Sequence, residues 1–228
     1  MRRFKLTIAY DGSRYHGWQV QKGQVTVQQR VEEAFQNLFP SVKRVHSSSR
    51  TDTGVHALGM VIHVDLPKAE CQMDSYKLQM ALNAFLPEDI RVVKAARAKN
   101  DFHARFDAKG KQYRYVIWNA PAMNPLLLGR AWHVSSPLDV ERMKKAAKLF
   151  VGKKDFKSFA TTREYEMETT VRRVTRCEVR KRGSEIIVII DGEGFLYKMC
   201  RGIVGTLARV GDGKLNQKNI HSIFRKRD

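Results

Sequence analysis

The chain has 228 residues, 43% of them apolar, which is enough for one sizeable core or two small ones and too much for a disordered tail. Lys and Arg number 42 against 23 Asp and Glu, a net charge of +19 with a pI near 10.1, split as +6 up to Gly110 and +13 beyond it. So large an excess repels itself in a folded state unless a polyanion binds and releases counterions, so a nucleic-acid partner is expected.

Other classes fall away on simple grounds. Mean hydropathy is −0.45 and no apolar run nears the ~20 residues of a membrane span. The start Met1-Arg2-Arg3-Phe4-Lys5 lacks the apolar stretch of a signal peptide. Cys71, Cys177 and Cys200 are odd in number and widely spaced, which argues against a disulfide framework and against zinc. A soluble, cytoplasmic globular protein is the expectation.

Phe4–Tyr10 reads as a strand. A helix follows, with Val27, Val31, Ala34, Phe35 and Leu38 on one face, Thr26 and Gln29 as a capping box, and Pro40 as its stop. A short strand near Val42–His46, a Ser-rich loop and an apolar strand over Ala57–Val64 come next. A second helix carries Leu78, Leu82 and Phe85, opens at Asp74 and closes at Pro87; Ile90–Ala96 is a closing strand. The order β-α-β-β-α-β is that of a ferredoxin-like unit.

The same order begins again after residue 108. Tyr113, Tyr115 and Ile117 alternate in a strand; Met143, Ala146, Ala147 and Phe150 line a helix between Asp139 and Gly152. Val171–Lys181 alternates, Arg182-Gly183 turns, and Ile186–Ile190 is apolar throughout, as for a strand buried on both faces. Leu196, Cys200, Ile203, Leu207 and Val210 mark a helix ended by Gly211, and a short helical segment, Asn216–Arg225, comes last. The predicted fold is α+β: two ferredoxin-like halves, residues 1–108 and a strongly basic 109–228, merged around a central antiparallel sheet with a shared groove. The second half lacks its final strand and reads as short at its C-terminus.

The stretch His46 to His56 is the most informative in the chain. It is small and polar, lies between two strands, and sets Arg50 two residues before Asp52. A carboxylate is ionised at neutral pH, the more so beside a guanidinium, and an ionised Asp serves as nucleophile or charge stabiliser; Asp before Thr-Gly also suits a plain turn. Asp52-Thr53-Gly54 also spells an aspartic-protease loop, but that site needs two copies and this chain has one, so a homodimer would have to supply the second. Gly192-Glu193-Gly194 has Tyr197 where a dinucleotide fingerprint needs glycine, no GxxxxGK[ST] run exists, and the seven histidines show no metal-ligand spacing.

Five segments together carry a resemblance: GSRYHGWQ (12–19), SRTDTGVHA (49–57), DFHARF (101–106), KQYRYVIWN (111–119) and GFLYKMCRGIVGTL (194–207). In this order they resemble the tRNA pseudouridine synthase A family. The resemblance implies that Asp52 is the nucleophile that isomerises uridine to pseudouridine. Arg50 would help extrude the target nucleotide, Tyr113 would stack on the uracil, and Arg201 would ion-pair Asp52. It also implies a homodimer acting without cofactor or metal on uridines 38 to 40 of the tRNA anticodon stem-loop. An absent last strand admits a second reading, a catalytically weakened or inactive tRNA-binding protein of the same fold.

The chemistry suits one carboxylate. The N1–C1′ bond breaks and C5 joins C1′ without water, so the two-carboxylate layout of glycosidases is unnecessary; attack at sugar or base, or removal of a sugar proton, would each serve. Everting the base costs a few kcal/mol, against ~1–3 kcal/mol from stacking on an aromatic ring. Each residue also has a plainer role to weigh. Tyr113 shares a face with core residues, and Arg201 suits a snorkelling cation. Gly202 and Gly205 suggest close approach of their helix to the sheet. Arg172, Arg173, Arg176, Arg180, Lys181 and Arg182 read as a solvated strand face that touches phosphates. His16, His56 and His103 lie within the matched segments and are assigned no chemistry.

Overall fold

Alternation makes Arg2–Tyr10 the first strand, β1: Phe4, Leu6, Ile8 and Tyr10 are buried, while Lys5 between them is exposed. The computed structural model describes residues 1–161 and 169–226, and the chain divides into two units, Met1–Ala108 and Lys109–Asp228. The architecture is mixed α+β, with five helices and nine strands among the described residues.

In the first unit, helix α1 (Val27–Leu38) buries Val27, Val31, Ala34 and Phe35. The Thr26 hydroxyl accepts the Gln29 N–H at 3.4 Å, one half of the predicted capping box. The other half is absent, because the Gln29 amide donates to Glu33 at 2.9 Å instead. Strands β2 (His46–Ser47) and β3 (Ala57–Leu66), helix α2 (Ser75–Phe85) and strand β4 (Ile90–Arg97) follow. Asp74 caps α2 by accepting the Lys77 N–H at 2.8 Å. The sheet order is β2-β3-β1-β4, antiparallel throughout, with Leu6 opposite Ile62 and Phe4 opposite Val64.

Two positions depart from what the sequence spacing predicts. The strand predicted over Val42–His46 pairs only at His46–Ser47, since Val42 and Val45 leave the ladder to bury in the core. Phe85 is 50% exposed; α2 ends there and Leu86 takes the last core position.

A cluster of rings holds residues 102–106 to this sheet. His63, 2% exposed, stacks on His46 at 4.9 Å and meets His103 at 4.7 Å, and Phe102 lies edge-on. The His63 Nδ1 accepts the Ala104 N–H at 3.1 Å, which requires a neutral ring. Burial first, then the repulsion its charged form would meet from a charged His46 and from Arg3, push its pKa down to about 4, and desolvation lowers that of His46 too.

In the second unit the elements are β5 (Lys111–Asn119), β6 (Trp132–Val134), α3 (Val140–Ala147), a 3-10 turn at 148–150, β7 (Gly152–Asp155), β8 (Val171–Arg182), β9 (Glu185–Gly192), α4 (Met199–Gly211) and α5 (Gln217–Lys226). Asp139 caps α3 by accepting the Arg142 N–H at 3.0 Å. The sheet runs β6-β5-β9-β8-β7. Its core joins Ile117, Val179, Ile186 and Val188 from the strands to Met143, Ile203 and Leu207 from the helices.

The ladders of the described residues thus form two sheets rather than the single merged sheet the repeat predicts. Each sheet closes a core with helices of its own unit. The second sheet also gains β6 and β7, which the repeat does not contain. β6 runs parallel to β5 over Ile117–Asn119, beside the strand where the repeat leaves a vacant place. Runs of three and four residues are too short for a period to show.

The histidine cluster yields a pH dependence. A folded pKa below the unfolded one means that His63 contributes its full stability above about pH 6.5 and loses it as the pH falls toward 4. Urea unfolding at pH 7 and 4.5 should therefore show a lower midpoint at the acid value. His63→Asn, which keeps an acceptor near Nδ1 and does not titrate, should shrink that difference.

Candidate active site

The loop between β2 and β3 is held by a strap, residues 11–18, that leads away from the end of β1. The Thr51 carbonyl accepts the Trp18 N–H at 3.0 Å, and the Tyr15 carbonyl accepts the Gly54 N–H at 3.2 Å. The two backbones touch: a Cβ on Gly17, whose φ is +82°, would stand 2.5 Å from the Thr51 carbonyl oxygen, and one on Gly12 would stand 2.1 Å from that of Val55. The Gly12 N–H also donates to His56 Nδ1 at 3.0 Å.

The strap is itself anchored. Trp18 and Tyr15 are buried, and the Tyr15 hydroxyl donates to Asp89 at 2.6 Å. Arg14 reaches the same carboxylate at 2.6 and 2.9 Å. Burial alone would raise the Asp89 pKa, but the bonds from Tyr15 and Arg14 outweigh it and hold the group below its ordinary value. At the far end, the Val27 and Gln28 N–H groups, free donors at the start of α1, bond to the carbonyls of Gly17 and Trp18.

Within this frame the Asp52 carbonyl accepts the Val55 N–H at 3.2 Å, closing a turn in which Gly54 takes φ +74°. The Asp52 side chain is half-buried, and within the first unit its carboxylate has no hydrogen bond or ion pair. Arg50 is exposed and does not pair with Asp52, so the guanidinium contact that the sequence suggests is not made. A solvated Arg gains little from such a bridge.

The other two candidates lie in the second unit. Tyr113, on β5, is half-buried; its ring packs against the unit's core and meets Phe195 edge-on, with centroids 5.0 Å apart. Arg201 is exposed in the first turn of α4, between buried Cys200 and Ile203. The close approach expected at Gly202 is real but made elsewhere: a Cβ there would stand 2.2 Å from the Phe159 carbonyl, in the turn before β8 and not in the sheet, while Gly205 faces open space. A cavity of about 470 Å³ lined by Trp132, Val134, Leu138, Gly205 and Arg209 includes none of the four candidates.

Burial pushes the Cys177 thiol up to about 12 and raises Cys200 as well, so neither is a thiolate at neutral pH. Among the described residues no group of three or more His, Cys, Asp or Glu side chains could hold a metal ion. No helix among them is long and apolar enough to cross a membrane. The basic face of β8 is partly neutralised: Arg176 lies 2.8 Å from Asp191, and Arg180 grips Glu178 at 2.6 and 3.0 Å. Lys181 and Arg182 stay exposed.

The family model described as tRNA pseudouridine synthase matches residues 6–107 and 146–228, which takes in the strap, the loop and α4 but not Tyr113. The chain belongs to the tRNA pseudouridine synthase family. A tRNA pseudouridine synthase A of Geotalea uraniireducens is 44% identical over 216 residues, covering 95% of this chain and 87% of the relative. One from Methylacidiphilum infernorum is 41% identical over 221 residues, 97% and 86% of the two chains, and one from a Thermoanaerobacter species is 40% identical over 228, 100% and 92%. A solved structure titled an unknown protein from Galdieria sulphuraria covers 93% of this chain and 92% of its own, but at 13% identity and a TM-score of 0.26 it carries no argument. The protein is an isomerase that forms pseudouridine in tRNA, and tRNA is the polyanion that its charge calls for.

The segment GSRYHGWQ (12–19), legible only as part of a resemblance, covers most of the strap; its two glycines are the signal that could have found it, because Gly recurs where backbones must touch. Gly17→Ala should lower the unfolding free energy by about 1–3 kcal/mol from strain alone, and by more because of the collision with Thr51. Gly23→Ala, at φ +73° with nothing within 4 Å, carries only the strain. Urea titration of both variants should show the larger loss at residue 17.

Proposed function

We propose that Asp52 is the nucleophile of the isomerisation and that the sites modified are uridines 38 to 40 of the tRNA anticodon stem-loop. One observation carries this reading: a loop whose backbone is held on both sides by buried neighbours presents a single half-buried carboxylate with no partner inside its own unit. Such a group is positioned and uncommitted, as a nucleophile must be.

Arg201 pairs with Asp52 in the substrate complex, Arg50 helps the target nucleotide leave its stack, and Tyr113 offers its ring to the everted uracil. Its edge-on contact with Phe195, which orients the ring, supports that use. The reaction is redox-neutral: N1–C1′ breaks, C5–C1′ forms, and the C5 proton is lost while N1 gains one. No water or cofactor enters the balance. Lys181 and Arg182 meet phosphates, setting register and not sequence. Each half is ferredoxin-like, the first on the order β2-β3-β1-β4, the second on β5, α3, β8, β9 and α4. The enzyme works in the cytoplasm as a homodimer.

Asp52→Asn should reduce pseudouridine formation by a factor on the order of 10⁴ or more and leave tRNA binding nearly unchanged. Mapping pseudouridine in treated tRNA tests both statements. Turnover retained by Asp52→Asn would overturn the nucleophile, and product confined to positions outside 38 to 40 would overturn the specificity.

A further inference from the structure

A half-buried carboxylate with no partner in its own unit depends on its backbone for direction, and both peptide planes beside Asp52 are held. The plane before it is fixed by the Trp18 N–H on the Thr51 carbonyl at 3.0 Å, the plane after it by the Val55 N–H on the Asp52 carbonyl at 3.2 Å. A third tie acts through side chains: the Thr51 hydroxyl lies 2.7 Å from the Tyr10 hydroxyl.

Tyr10 is a firm post for that bond. It ends β1, an interior strand of its sheet, where it stands opposite Ala57 of β3 and Ile90 of β4. It is 4% exposed, and its ring lies 6.0 Å from that of buried Trp18. Thr is stiff at χ1, so holding its hydroxyl holds its backbone as well. We infer that Thr51, gripped by Tyr10, is a positioning residue that aims the Asp52 carboxylate at the substrate. The inference rests on Asp52 being the reacting group. Neither Thr51 nor Tyr10 is asked to touch a reacting atom.

The test is single-turnover pseudouridine formation at saturating enzyme, with tRNA affinity and melting temperature measured alongside. It uses Thr51→Val, Tyr10→Phe, the double variant, Thr51→Ser and Asp52→Asn. Misaiming by an ångström costs up to about 10²-fold in rate, so Thr51→Val and Tyr10→Phe should each slow the step at least about tenfold while tRNA affinity holds. The double variant should be no slower than the slower single one, because both remove the same bond. Thr51→Ser, which keeps the hydroxyl, should recover most of the rate.

Wild-type rates in folded Thr51→Val and Tyr10→Phe, even with lowered melting temperatures, would reduce the bond to a structural one and overturn the inference. So would losses that multiply in the double variant. If Thr51→Val does not fold, Tyr10→Phe decides alone: a wild-type rate there overturns it. An inactive Asp52→Asn beside a wild-type Thr51→Val defeats only the role of Thr51; an active Asp52→Asn defeats the reading of Asp52 itself.

Discussion

Two lengths of backbone pressed together at Gly17 and Thr51 set the candidate site of this protein. The gap there admits no side chain, since a Cβ on Gly17 would overlap the Thr51 carbonyl at 2.5 Å. The approach lets the Trp18 N–H reach that carbonyl, fixes the peptide before Asp52 and brings the strap within reach of the start of α1. Buried polar groups that are fully paired hold a single geometry, because each alternative leaves one of them unsatisfied. The loop owes its shape to that rule more than to its own residues.

Charge is distributed with a similar economy. Pairs such as Arg14 with Asp89, Arg176 with Asp191 and Arg180 with Glu178 are neutral in themselves, so the excess of +19 is carried by cations outside them. What remains exposed includes Arg50, Lys181, Arg182 and Arg201. These are side chains that lose little by waiting in water for a polyanion, since an exposed cation pays its desolvation only when the ligand arrives. Buried His63, at the centre of the histidine cluster, follows the opposite rule. Its ring is neutral because burial beside Arg3 and His46 makes a further charge costly.

The units also differ in how regular they are. In the first, strand pairing follows the apolar alternation closely and leaves one short strand, β2, where buried Val42 and Val45 interrupt the ladder. In the second, two brief strands flank the longer ones, and α4 packs through Gly202 against the turn at Phe159. Both units bury one face of a sheet under helices.

The amino-acid order alone was enough to identify α1, α2, α3 and α4, because their apolar spacing, caps at Thr26, Asp74 and Asp139, and stops at Pro40 and Pro87 are local signals within a few residues. It was also enough to single out the Asp52 loop and to bring the family into view. It could not show β6 or β7, too short for any period, nor that Arg176 is neutralised across strands by Asp191, nor that Phe85 gives its core place to Leu86. Least of all could it show that Tyr10 holds Thr51, 41 residues away. Pairings of that kind depend on where the folded chain returns to itself, and in a linear string no spacing encodes that return.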